Sequence, residues 1–239
     1  RLFSKYDFLA LPVVDNENRL VGIVTFDDAM DVLQEENTED IEKMAALMPS
    51  DKPYLKTSAW EMWKNRIPWL LLLMISATFT GMIISGFEEK LAASVVLTSF
   101  IPMLMDTGGN SGGQSSVMII RGLSLGEIKL SDLPKVIWKE VRVALLCGVS
   151  LAAVCFVKLM LVDRWLLGTV GVTIPVALVV CGTLMITVLL AKAIGGTLPI
   201  LAKRLGFDPA VMASPFITTI VDALSLLVYF RLAVWILHI

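Results

Sequence analysis

A chain of 239 residues with 56% hydrophobic and only 18% charged side chains, at a mean hydropathy of +0.76, is too apolar for an ordinary soluble domain. Its formal charge of −2 and its single histidine, His238, leave little scope for histidine metal centres or proton relays, and no nucleic-acid partner is expected. Cys147, Cys155 and Cys181 all fall in apolar stretches without a CxxC spacing, so neither a disulfide nor a cysteine metal site is implied.

The first sixty or so residues differ from the rest. Residues 9–14 and 20–24 are short apolar runs separated by Asp15, Asn16, Glu17 and Asn18, which predicts strand, turn, strand. Residues 27–48 follow with Met30, Leu33, Ile41, Met44, Leu47 and Met48 at helical spacing, which predicts an amphipathic helix. That helix is acidic: Asp27, Asp28, Asp31, Glu35, Glu36, Glu39 and Asp40 place seven carboxylates in fourteen residues. They repel one another unless a counter-charge arrives. They read either as a solvated face or as a surface site for a divalent cation such as Mg²⁺, which keeps most of its waters and needs one or two direct carboxylates. No EF-hand spacing is present. The chain opens at Arg1 partway into what reads as an α/β unit, and the natural protein is expected to extend further towards its N-terminus.

Five apolar stretches come next, at residues 67–87, 91–120, 143–157, 165–191 and 209–230. Most reach the roughly 20 residues that a membrane-spanning helix needs. The third is short, with Arg142 and Lys158 placed to snorkel. The second is too long for one straight span and is expected to tilt or break at its glycines. Lys56, Lys64, Arg66, Arg121, Lys129, Lys135, Lys139, Arg142, Lys192, Lys203 and Arg204 are assigned to one side of the bilayer. By the positive-inside rule the soluble piece is then cytoplasmic and the C-terminus outside, in a multi-pass protein of the cell membrane with no cleavable signal peptide visible.

Two constellations within the spans carry chemistry. Between Asp208 and Arg231 the one charge is Asp222, and a carboxylate at that depth costs roughly 2.5–3.5 kcal/mol on insertion scales, so it faces a bundle interior, a pore or a proton path. Ser214, Thr218 and Asp222 recur every four residues and share one helix face, an oxygen-only set suited to a hard cation or its water shell. The plainer alternative is a polar stripe between helices. The second constellation runs from Pro102 to Ser115, with Gly108, Gly109, Gly112 and Gly113 among Asp106, Asn110 and Gln114. It offers either oxygens to an ion or small residues for close helix packing. No lysine follows the glycines, so it is not a phosphate loop.

The run starting at Pro102, with Leu104-Met105-Asp106-Thr107-Gly108-Gly109-Asn110-Ser111-Gly112 and then Gln114-Ser115, resembles the MgtE-type magnesium channels. So do Lys203-Arg204-Leu205-Gly206-Phe207-Asp208-Pro209-Ala210 and Thr218-Thr219-Ile220-Val221-Asp222. Leu11-Pro12-Val13-Val14-Asp15 and Leu20-Val21-Gly22-Ile23-Val24-Thr25, with Asp28 following, resemble the end of a CBS motif. The resemblance implies an all-α membrane domain of five spans at 67–239, preceded by part of a cytosolic CBS domain at 1–48 and a connecting, plug-like helix at 49–66. It further implies a homodimer with its pore on the two-fold axis, Mg²⁺ as both transported and regulatory ion, and the CBS region as a candidate nucleotide site. Asp222 corresponds to the ion-selecting residue, Asn110 to the cytoplasmic mouth, and Asp7, Asp28, Asp31, Glu36, Glu39 and Asp40 to regulatory positions. Ser214 departs from the asparagine that the family carries there. A proton- or sodium-coupled secondary transporter is the alternative, although no internal repeat is evident among the spans. An enzyme is not expected, for want of a nucleophile–base pair.

Overall fold

The computed structural model describes residues 2–50, 52–212 and 214–238, without the side chains of Ser4, Ala93 and Ser214. A short helix α1 (Leu2–Tyr6) leads into strands β1 (Ala10–Val14) and β2 (Leu20–Thr25), paired antiparallel across the turn expected between the two short apolar runs. The turn between them is held by Asp15, whose carboxylate accepts from the Glu17 and Arg19 amides at 2.9 Å. Helix α2 (Phe26–Met44) is the acidic helix.

The membrane part begins with α3 (Ala59–Gly86). One continuous helix therefore covers both the second half of the expected connecting segment and the first apolar stretch. Trp60 and Trp63 stack at its start, 4.6 Å apart, and Ser58 caps it by accepting from the Glu61 amide. A short helix α4 (Glu88–Ala93) and a 3₁₀ segment (Val95–Phe100) precede α5 (Ile101–Ser124). The break in the second apolar stretch thus lies before Pro102, and the expectation of a break at the glycines is corrected: α5 runs unbroken through all four. Proline in the first helical turn lacks an N–H that would have no partner there, so it starts the helix. The Tyr229 hydroxyl fixes the 3₁₀ segment by donating to the Leu97 carbonyl at 2.8 Å.

The third stretch is longer than expected. Helix α6 (Leu133–Val157) starts ten residues before the apolar run and passes into a π-helical stretch (Lys158–Leu166). The fourth is displaced. Residues 165–173 finish that stretch and turn through Gly168 and Gly171, both at positive φ, and α7 runs from Ile174 to Arg204. Thr173 caps it, accepting from the Val176 amide, and Pro175 sits in its first turn. Lys192, assigned from the sequence to a flanking loop, therefore lies inside α7. After a 3₁₀ turn (Pro209–Met212), α8 spans Ser214–Leu237, seven residues past the expected end.

Helix α5 packs on both α7 and α8, α6 packs on α7, and α3 leans on α8. The core between them is built from Leu104, Leu159, Val179, Val180, Leu226 and Tyr229, each fully buried. Among the described residues, four helical segments are long and apolar enough to cross a membrane: those of α3, α6, α7 and α8. Helix α5 is not one of them. At about 1.5 Å per residue its 24 residues have the reach, but its four glycines, Asp106, Asn110 and Gln114 lower its hydropathy.

Candidate functional site

The glycines of α5 are contact points. A Cβ on Gly109 would come 2.7 Å from the Thr218 Cγ2, one on Gly112 would meet Ile217 Cγ2 at 2.7 Å, and one on Gly108 would meet Val221 Cγ1 at 2.9 Å and Ser225 Oγ at 3.1 Å. As the α5 number falls from 112 to 108 the α8 partner rises from 217 to 225, so the two helices run antiparallel with their backbones in close approach. That pairing sets Asn110 level with Thr218, and Asp106 level with Asp222. Glycine is required here because only the absence of a side chain lets the two oxygen-bearing faces come alongside.

The arrangement is an open ladder of oxygens. Asp222 and Thr218 are half-buried while Asp106 and Asn110 are exposed on the flank of the bundle. The Asn110 amide donates to Asp106 Oδ1 at 3.0 Å, and the Thr218 hydroxyl donates to the Pro215 carbonyl at 2.9 Å, leaving its lone pairs as acceptors. Asp106, level with Asp222 across the α5–α8 seam, is a second carboxylate. Among the described residues, no lysine or arginine forms an ion pair with either carboxylate. Ser214 begins the same face one turn before Thr218, but its side chain lies outside the described residues.

The acidic helix divides. Asp31, Glu36 and Glu39 come together with Glu35 and Glu42 along an open groove of about 620 Å³ between α2 and the segment that holds Ser50 and Lys52. Asp28 is elsewhere: its carboxylate caps α2, accepting from the Thr25 hydroxyl at 2.5 Å and the Thr25 amide at 3.3 Å. Asp40 accepts from the Ser124 hydroxyl at 3.1 Å, and Asp7 is exposed in a turn at positive φ. Among the described residues, no three carboxylate, histidine or cysteine side chains converge closely enough to form a metal cage. A groove of this kind suits a hydrated ion bound through its waters.

Lys43 joins the acidic helix to the membrane part. Its ammonium bridges Glu39 and Asp208, each at 2.5 Å, the latter one residue before the turn that leads into α8. Met44 packs on Ile120 and Ala210 beside it. The hydrogen bonds to Asp208 and then Glu39 hold Lys43 above the ordinary lysine range. Burial alone would raise Asp208, but the Lys43 ammonium and the Ala210 amide outweigh it and hold the carboxyl below its usual range. The raised lysine contributes stability that is lost only as pH climbs through its folded value. The lowered aspartate contributes stability that is lost as pH falls through its own. Docking of α2 is therefore expected to be insensitive to pH across the neutral range and to weaken below about pH 4. Lys43→Met is expected to speed amide hydrogen exchange in residues 26–44 at neutral pH while leaving α8 protected; unchanged exchange there would mean that the pair does not hold α2.

The sequence reading missed a polar knot where α5, α6 and α7 meet. The Ser115 hydroxyl donates to Glu140 Oε2 at 2.6 Å and accepts from the Lys192 ammonium at 3.4 Å. Lys192 is 5% exposed. The available signal was the apolar continuation after Lys192, from Ile194 to Leu201, which marks a helix that has not yet ended.

Comparison with known proteins adds three relatives. The profile of the MgtE family, described as divalent cation transporter, matches residues 101–232, and the CBS domain profile matches residues 1–35. The protein named magnesium transporter MgtE of Thermus thermophilus is 40% identical over 238 residues, covering 98% of this chain and 50% of the relative. That of Bacillus subtilis is 40% identical over 239 residues, covering 100% and 51%, and that of Enterococcus faecalis is 34% identical over 228 residues, covering 95% and 48%. The chain spans about half the length of these curated relatives.

Proposed function

This chain belongs to the MgtE family of divalent cation transporters, and from that premise we propose that it carries Mg²⁺ across the membrane along the oxygen ladder of α5 and α8. The observation that carries the proposal is the close antiparallel approach of α5 and α8, which brings Asp106 level with Asp222 and Asn110 level with Thr218. Hydrated Mg²⁺ presents waters as donors, and carboxylates, a hydroxyl and an amide oxygen are the acceptors they need. The relatives named magnesium transporters support this choice of ion.

In this reading α5 is a fifth span, too polar for lipid and lodged where its apolar face meets α7 and α8. Asp106, Asn110 and Gln114 are exposed on a single copy, which in lipid would be costly, so that face must meet water or protein. A second copy placed across it would enclose a path with one Asp222 from each chain. The N-terminal CBS piece is cytoplasmic and the C-terminus outside. Liposomes holding the chain and a magnesium-sensitive dye, under a Mg²⁺ gradient alone, are expected to fill; filling only when a proton or sodium gradient is added would favour coupled transport instead.

Gating belongs to the acidic groove. Mg²⁺ bound among Asp31, Glu36 and Glu39 relieves their repulsion and favours the state in which α2 is docked through Lys43 and Asp40. Each site contributes only about 0.4 kcal/mol when the free ion equals its dissociation constant, so several together make a graded sensor. Asp→Asn and Glu→Gln replacement of Asp28, Asp31, Glu36, Glu39 and Asp40 in the full-length protein is expected to raise the Mg²⁺ concentration that closes the pore. The check is open probability against cytosolic Mg²⁺; identical curves would leave the cluster as a solvated face.

A further inference from the structure

Lys192 poses a problem that the proposed ion path does not solve. It is a charged side chain, 5% exposed, within a helix that is long and apolar enough to span a membrane. An isolated ammonium there is costly, and the carboxylate that offsets its charge, Glu140, is reached through the Ser115 hydroxyl. Ser115 has one proton, and the geometry favours Glu140 at 2.6 Å over the Ser111 carbonyl at 3.4 Å, so an oxygen lone pair is left for Lys192. Glu140 packs against Gly196, its Cγ 3.0 Å from where a Cβ there would stand.

The knot sits on a seam of small residues. Gly112 and Ser115 are three apart on α5, and Lys192 and Gly195 are three apart on α7, so each pair shares a face. A Cβ on Gly195 would overlap the Gly112 carbonyl, and one on Gly112 would meet the Ala191 carbonyl at 3.1 Å. Such a seam is smooth. Small residues permit close approach, and along this stretch the directional polar contact between α5 and α7 is the one from Lys192 to Ser115. The same α5 turns also carry the contacts to Thr218 and Ile217, and the exposed flank carries Asp106 and Asn110. A rotation by one residue would swing both through about 100°.

We propose that Lys192, Ser115 and Glu140 form an intramembrane charge bridge whose task is to lock the rotation and register of α5, holding Asp106 and Asn110 opposite Asp222 and Thr218. These are positioning residues: they touch no permeating ion. This proposal rests on the ion-path reading given above, but its geometric part can be tested without transport. With Cys147, Cys155 and Cys181 replaced by alanine, spin labels at the exposed Val117 on α5 and Leu227 on α8 report the α5–α8 distance in liposomes. Lys192→Met is expected to broaden or shift that distribution. Glu140→Gln added to it is expected to leave the distribution as it stands in Lys192→Met, because the bridge is already broken and a second break adds nothing, and Lys192→Arg is expected to retain the parent distribution.

Transport gives the second readout. Lys192→Met is expected to raise the Mg²⁺ concentration for half-maximal flux, whereas a mere loss of folded protein would lower only the maximum. Lys192→Met with Glu140→Gln is expected to be no worse than Lys192→Met alone, the non-additivity of members of one hydrogen-bonded network. Additive defects, a parent-like distribution in the double variant, or an unchanged α5–α8 distribution in Lys192→Met would overturn the proposal. Where Lys192→Met fails to fold, Ser115→Ala keeps both charges, removes the bridge and decides by the same distances. A parent chain that carries no Mg²⁺ would sink the ion-path reading alone, since the distance measurements still decide the bridge.

Discussion

Asp222→Asn is expected to reduce Mg²⁺ flux in liposomes to the level of empty vesicles while the protein remains folded in the membrane. The physical basis is an asymmetry between binding and stability. The carboxylate is half-buried, accepts no hydrogen bond from the described residues and lies level with the carboxylate of Asp106 across the α5–α8 seam. Its ionised form therefore weakens the isolated bundle, by an amount of order 2.5–3.5 kcal/mol if it were at the bilayer centre. Asparagine has nearly the same shape and removes that cost, so unfolding by denaturant should be unchanged or slightly later. What is lost is the negative charge that offsets the dehydration of a divalent ion. Asp106→Asn should do less, because Asp106 is exposed and already shares an oxygen with Asn110. Near-parental flux through Asp222→Asn would remove Asp222 from the path.

Gly112→Leu is expected to cost the bundle its packing, with a loss of folded protein far beyond that of a surface substitution. A single Cβ at Gly112 already comes 2.7 Å from Ile217 and 3.1 Å from the Ala191 carbonyl, and the Ala191 atom belongs to a helix backbone that cannot swing aside. Overpacking a close seam costs typically 1–3 kcal/mol, and more where backbone must shift. Gly195→Leu meets the Gly112 carbonyl from the other side and should do the same. Gly81→Leu is the control, since a Cβ there meets nothing within 4 Å. Thermal unfolding in detergent separates the three; equal midpoints for Gly112→Leu and Gly81→Leu would contradict the close approach of α5 to α7 and α8.

Much of the site was legible because charge in an apolar run is conspicuous. Asp222 stands alone for 22 residues, and the fourfold spacing to Thr218 is a matter of helix geometry. The strand pair was equally legible, since short apolar runs and the polar turn between them are local features. Span ends were less so, because apolar runs ignore caps. Residues 165–172 are hydrophobic yet belong to a glycine turn, and α7 starts only where Thr173 and Pro175 supply a cap and a first turn. Lys192 was misplaced for the converse reason, its charge mimicking a span end while the helix continues. The acidic residues shared a composition but not a fate. Asp28 found Thr25 locally, whereas Asp40 found Ser124 across 84 positions and Lys43 found Asp208 across 165, distances at which no pattern in one sequence points to the partner.

The central claim is that a divalent cation occupies the space beside Asp222 and Thr218. An anomalous difference map from crystals of the chain soaked in Mn²⁺ tests it most directly, with a second soak in excess Mg²⁺ and a third of Asp222→Asn. The account predicts a peak beside the Asp222 carboxylate that Mg²⁺ displaces and that the variant lacks. A map with Mn²⁺ in the acidic groove of α2 but none beside Asp222, or a peak there that persists in Asp222→Asn, would contradict it.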